Sequence, residues 1–266
     1  MITFFRNLRR SMLSSSSLGK YLFYAIGEIL LVVIGILIAL KINNWNQFRQ
    51  DRAEEKRIYT SISDEIEGLT WLANRGHQTY MDIVDATESL LSVVNHPSKN
   101  ISDDSLSYLI SIATSRWMFG VNNLNNIYDA LAASGELKYI QSDQMRTSLM
   151  ELDREIQLLS VYEGFQTSFL YEQLYPYFNK EIDALKIYNI RSDYLVGTHG
   201  FDPAQYDLTL KNGLFPNSPL QKFRNKEFSN LLVNHIRNSA ALIAIYKRIK
   251  SNLSKVAELL NEKDLK

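Results

Sequence analysis

Cysteine is absent from the 266 residues. That excludes disulfides, thiolate zinc sites and cysteine nucleophiles. Proline and glycine are scarce, at 5 and 11, so neither a collagen-like nor a low-complexity disordered composition applies. No net charge of either sign stands out: 29 Lys and Arg balance 29 Asp and Glu. With no basic aromatic surface in the pattern, a nucleic-acid partner is not expected. Strand-like alternation of apolar and polar residues never persists for long. G-x-S-x-G elbows, phosphate loops and dinucleotide loops are missing, as are repeats at solenoid periods. The four histidines, His77, His96, His199 and His235, never stand three or four residues apart. Metal motifs normally cluster their ligands, so these read as surface or satisfied core imidazoles. No metal or cofactor and no catalytic residue is assigned.

The balanced charge hides an uneven layout. Residues 1–20 carry Arg6, Arg9, Arg10 and Lys20 and no acid, residues 21–41 one acid and one base, and residues 42–266 are mildly acidic. Such asymmetry suits a membrane-attached chain with a soluble body. Between the two lysines Lys20 and Lys41 runs YLFYAIGEILLVVIGILIAL, with Glu28 its only charge. At about 1.5 Å per residue this stretch spans roughly 30 Å, the thickness of a bilayer's hydrocarbon core. A signal peptide is the main competitor. Its apolar region is shorter, about 7–15 residues, and ends in a small-x-small site that Ile38-Ala39-Leu40-Lys41 does not offer. An uncleaved anchor over residues 21–41 is therefore expected.

Basic residues are nearly tied across the span. Within 20 residues of it, four lie before and five after, Lys41, Arg49, Arg52, Lys56 and Arg57, so the positive-inside rule alone does not orient it. The head at 1–20 lacks acids and sets Ile2, Phe5, Leu8 and Met12 among its arginines, the pattern of a short helix on anionic headgroups. That favours a cytoplasmic N-terminus and a body outside, since long domains translocate largely regardless of charge. Arg6, Arg9, Arg10, Lys20, Lys41 and Trp45 are the expected interface anchors.

An acid in a span costs about 2.5–3.5 kcal/mol on insertion scales and usually faces a partner. Glu28, Gly35, Ala39 and Asn46 fall in one narrow helical sector, and Gly35-x-x-x-Ala39 permits close helix approach. This face reads as a helix–helix contact, with a second copy or with another membrane protein. The alternative is a Glu28 that snorkels or is protonated.

The run from Lys20 to Asn46, with Tyr24-Ala25-Ile26-Gly27-Glu28, Val32-Val33-Ile34-Gly35-Ile36-Leu37-Ile38-Ala39-Leu40 and Ile42-Asn43-Asn44-Trp45-Asn46, resembles the N-terminal signature of a family of uncharacterised single-span membrane proteins of Gram-negative bacteria. Phe4-Phe5-Arg6 matches that family's short basic head. Ile127-Tyr128-Asp129-Ala130-Leu131 with Ser134-Gly135-Glu136-Leu137 is a shorter, supporting match. The resemblance is strong over the first 50 residues and otherwise rests on helical layout. It implies a bacterial inner-membrane protein and supplies no activity.

Beyond the span, Ile58, Ile62, Ile66, Leu69 and Ala73 repeat at helical spacing. A juxtamembrane stalk helix over 42–75 is expected, weakened at Gly68 and ending near Gly76, with a helical bundle over 76–266. Tyr80 to Val94 continue the pattern to His96-Pro97, where Pro97 disfavours helix. Ser102 with Asp103 and Asp104 reads as a cap and first turn. Leu124, Ile127, Tyr128 and Leu131 make the next helix, stopped by Gly135. Ser142-Asp143 opens another helix through Leu149, Leu152, Ile156 and Leu159, expected to reach Pro176 despite Gly164. Residues 191–224, holding three prolines, read as irregular with at most a short helix. In the last helix Leu242, Tyr246, Ile249, Leu253, Val256 and Leu260 form a heptad-like seam, assigned to the chain's own core in preference to a coiled coil with a partner. The aromatics Tyr162, Phe165, Phe169, Tyr171, Tyr175, Tyr177 and Phe178 are assigned to packing rather than to a ligand groove. Glu54-Glu55 reads as a solvated face.

The expected fold is all-α: one N-terminal transmembrane helix followed by a soluble antiparallel bundle of long helices. The expected function is a non-enzymatic scaffold, assembly or sensory interaction partner at the extracytoplasmic face of the inner membrane. Its partners would be the lipid bilayer and a second copy or another membrane protein. The alternative is a membrane-tethered enzyme or ligand-binding domain, with a site near loop 191–224 built on His199 and Asp202.

Overall fold

The computed structural model describes residues 18–115, 127–182 and 219–264, with side chains described over 22–115, 127–182 and 219–261. Helix makes up 91% of these residues and none is in a strand, so the class is all-α. The elements are α1 (Leu18–Asn95), α2 (Asp103–Ala113), α3 (Ile127–Ser134), a 3-10 turn (Glu136–Tyr139), α4 (Asp143–Phe169), a π turn (Leu170–Leu174), α5 (Tyr175–Glu181), α6 (Leu220–Phe223) and α7 (Lys226–Asp264). Packing divides the chain into two units, Met1–Arg57 and Ile58–Lys266.

In the first unit every described side chain from Ile26 to Gln50 is exposed. This apolar part of α1 is long and apolar enough to cross a membrane, and none of it is buried. Past it, Arg49 lies over the Trp45 ring at 5.6 Å and Arg52 over Phe48 at 5.3 Å. Spacing of four residues brings each pair onto one helix face. Glu55 departs from the solvated face expected of it. It is 3% exposed and accepts a 2.7 Å hydrogen bond from Arg52, whereas Glu54 is half-exposed and pairs with Arg57 at 2.8 Å.

In the second unit, α1 does not stop near Gly76. It runs unbroken to Asn95, because the apolar face of Ala73, Tyr80, Ile83, Leu90 and Val94 is buried along its whole length. Burial of that face outweighs the roughly 1 kcal/mol that a mid-helix glycine costs. The helix ends at His96-Pro97 as its proline requires. Ser102 caps α2 by accepting from Ser105 N at 3.1 Å, with Asp103 and Asp104 in the first turn. Gly135 ends α3 at φ 73°, a left-handed conformation that glycine adopts without strain. Ser142 caps α4 by accepting from Met145 N at 3.2 Å.

Helix continues past the expected limit at Pro176. Gly164 does not interrupt α4, and the chain then widens into the π turn, where Tyr175 N bonds Leu170 O. Pro176 has no N–H to give, and in a regular α-helix its ring would press on the carbonyl four residues back. The wider turn relieves that conflict, so α5 carries Pro176 in its first turn and ends at Glu181.

Two apolar clusters form the core of this unit. The first joins α1 from Ile58 to Ile83, α3, α4 from Met145 to Leu159, and α7 from Leu242 to Leu260. The second joins Ala86, Leu90 and Val94 of α1 to α2, to Phe169, Leu170, Leu174 and Phe178, and to Phe223, Phe228 and Leu232. The heptad-like seam of α7 thus packs within its own chain. Its contacts with α4 pair Glu151 with Lys255, Glu155 with Arg248, Glu163 with Tyr246 and Gln166 with His235. Numbers rise on one helix as they fall on the other, so these two helices run in opposite directions.

Arg224, just before α7, fastens the far end of α1. It donates to Pro97 O at 2.9 Å and also to the carbonyls of His96 and Lys99. Asn225 caps α7, accepting from Phe228 N at 2.8 Å.

Candidate functional site

The expected contact face in α1 is uncovered. Glu28, Gly35 and Ala39 are exposed, and among the described residues nothing lies within 4 Å of where a Gly35 Cβ would stand. Lys41 and Trp45 are exposed as well. Arg6, Arg9 and Arg10 lie outside the described residues, as do the side chain of Lys20 and all of His199 and Asp202. Loop 191–224 is described only from Pro219 onward, where it holds α6.

Between the two apolar clusters lies a buried polar layer that sequence spacing did not reveal. Along α4 the first cluster ends at Leu159 and the second begins at Phe169, and along α7 the corresponding limits are Leu242 and Leu232. In that interval sit Glu163 and Gln166 on α4, and His235 and Ser239 on α7, all no more than 2% exposed. Tyr246 donates its hydroxyl to Glu163 Oε1 at 2.9 Å. Its ring lies 5.9 Å from that of Tyr80. Burial first, and then the Glu163 carboxylate, pushes the Tyr246 phenol far above the ordinary range.

His235 joins three elements. One ring nitrogen, Nε2, lies 2.6 Å from Ala113 O at the end of α2. A carbonyl only accepts, so Nε2 carries the proton. The other nitrogen, Nδ1, then accepts from Gln166 Nε2 at 3.0 Å. Phe169 stacks on the ring at 5.7 Å. A C-terminal helix carbonyl favours imidazolium, but burial dominates and lowers the pKa to about 4. Tyr175 similarly donates to Thr114 O at 2.9 Å. The last carbonyls of α2, which no intrahelical donor reaches, are thus capped by side chains from distant parts of the chain. In the same layer Gln166 Oε1 and Ser239 Oγ are buried without a hydrogen-bond partner among the described residues.

The aromatic run divides. Phe169 and Phe178 are core residues, and Tyr177 stacks on Phe228 at 5.0 Å. Tyr162, Phe165 and Tyr171 are exposed, Phe165 at 64%, which packing does not account for. Phe165 borders an open groove of about 280 Å³ with Ser168, Phe169, Glu172 and Gln173 on one wall and Asn234, Arg237 and Asn238 on the other. Of the remaining histidines, His96 is exposed and bonds Ser92 O at 2.8 Å. His77 is half-buried, its pKa lowered first by burial and then by Lys250 and Lys247. Among the described residues no three His, Asp or Glu side chains gather as metal ligands would.

No protein-family model, curated protein or solved structure matches the chain.

Proposed function

We propose that this chain is a membrane-anchored, non-enzymatic helical protein. In this reading one span, with its N-terminus in the cytoplasm, holds an antiparallel helical bundle at the extracytoplasmic face of a bacterial inner membrane. There it serves as a scaffold, assembly or sensory partner. The observation that carries the reading is the uninterrupted exposure of the apolar side chains from Ile26 to Ile42. So long an apolar surface is stable in lipid or against other helices and not in water. The opposed directions of α4 and α7 and their shared core with α1 support the bundle. The Arg49–Trp45 and Arg52–Phe48 pairs suit an interfacial belt, where aromatic rings and long cations are favoured.

Glu28 supports a partner within the membrane, because its burial in lipid alone is costly. The chain has no native cysteine, so Ile42→Cys, at an exposed position beside that face, offers a single crosslinking position that leaves Gly35 and Ala39 intact. Oxidative or bifunctional crosslinking in native membranes should give one discrete adduct, a dimer or a defined heteromer. Glu28→Leu should lower its yield. An unchanged yield removes the role given to Glu28. Recovery of the full-length chain in the aqueous fraction without detergent would overturn the anchoring itself. A reporter fused after residue 266 and active only outside the cytoplasm checks the orientation.

A further inference from the structure

We propose that the groove between the end of α4, the π turn and α7 binds a small zwitterion with an apolar side chain, namely a free amino acid or a dipeptide. This goes beyond the anchoring role and does not rest on it. The groove carries one charge of each sign on opposite walls. Glu172 belongs to the π turn and Arg237 to α7. Neither makes an ion pair or hydrogen bond with another described residue. A ligand presenting a carboxylate to the Arg237 guanidinium and an ammonium to the Glu172 carboxylate satisfies both. A polyanion such as a nucleotide would find a single cation and a repelling acid.

The uncharged lining fits the same class. Asn234, Asn238 and Gln173 supply amides, and Ser168 a hydroxyl. Amides both donate and accept, as recognition of an amide backbone requires. Phe165 offers an exposed ring that its edge-on contact with Tyr162 at 6.0 Å does not cover. Phe169 forms the adjoining apolar surface and is held rigid by stacking on His235. A volume of about 280 Å³ lies just below the range of ligand pockets, commonly about 300–1,000 Å³, and has room for a ligand of one or two residues. The position is also apt. The groove straddles two helices whose interior contacts include the Gln166–His235 bond, and π turns recur where helices carry function.

The test uses the full-length chain in detergent micelles. Binding is followed by calorimetry against the standard amino acids one by one and against glycyl-phenylalanine, each up to about 10 mM, a range suited to so few contacts. Saturable binding of at least one zwitterion with an apolar side chain is expected. Its N-acetyl and carboxamide derivatives, each lacking one charge, should bind at least about tenfold more weakly. Arg237→Gln and Glu172→Gln, both at exposed positions, should leave the melting temperature unchanged. Each should weaken binding by a similar factor, the first abolishing the difference between free and amidated carboxylate. Absence of saturable binding across the panel overturns the proposal. So does equal affinity for the blocked derivatives, insensitivity to both variants, or binding of glucose in place of any zwitterion.

Discussion

A methyl group added at Gly76 would stand 2.4 Å from Cζ of Tyr246 and 2.6 Å from its hydroxyl oxygen. The glycine that reads as a helix stop is instead the place where α1 makes room for a buried ring of α7. Gly76→Ala should therefore destabilise the chain by about 1–3 kcal/mol through overpacking, despite alanine's better helix propensity. Gly68 sits on the same helix with open space around it, so Gly68→Ala should be neutral or stabilise by up to about 1 kcal/mol. Urea unfolding followed by circular dichroism separates the two. Equal effects would show that the Tyr246 ring yields freely.

The same ring holds Glu163. Tyr246→Phe keeps the shape and deletes the 2.9 Å hydrogen bond, leaving a 2%-exposed carboxylate one donor poorer. A loss of about 1–3 kcal/mol is expected. Tyr246→Phe combined with Glu163→Gln should recover part of it, because the charge that needed the donor is gone. A double-mutant cycle in urea measures the coupling.

His235 sets a pH dependence whose sign follows from its environment. The unfolded imidazole takes up a proton near pH 6.5, whereas the folded one, facing Ala113 O, the Gln166 amide and the Phe169 ring, resists protonation until about pH 4. Stability is therefore full above pH 6.5 and falls as the pH drops toward 4, by up to about 3 kcal/mol. His77 contributes in the same direction. His235→Gln should flatten the slope between about pH 6.5 and 5, whatever it does to stability at neutral pH. An unchanged slope would assign the acid sensitivity elsewhere.

Arg224 is the clip between the end of α1 and the start of α7. Arg224→Ala should free the carbonyls of Pro97 and Lys99 and cost about 1–3 kcal/mol, since the bonds are charge-assisted. Arg224→Lys should recover little, because a point charge cannot replace the fork that serves three carbonyls. Hydrogen exchange should rise at the end of α1 and in the turn after it. It should change little around Ile249 of α7, which lies deep in the other apolar cluster.

Local signals carried their message intact from sequence to structure. The apolar run after Lys20, the Ser102 and Ser142 caps, the stop at Gly135 and the seam from Leu242 to Leu260 each depend on neighbours within a few residues. Their physics is complete in a short window: hydrophobic spacing, an accepting hydroxyl, a left-handed φ. The candidate groove was not legible in this way. Its walls come from two helical segments far apart in the chain, and neither wall alone has a motif.

What the chain order alone determined is that this protein is helical, with an apolar stretch long enough for a bilayer. What only tertiary structure decided is where helices continue, and which polar groups go inside. Gly76 and Pro176 lie within helical segments because a buried face and a widened turn outweigh their local preferences. Glu55, Glu163 and His235 are buried because partners reach them, from one turn away or from distant helices. Propensity is a sum over near neighbours, worth up to about 1 kcal/mol for glycine and about 3 kcal/mol for proline, and burial of a shared face across helices exceeds it.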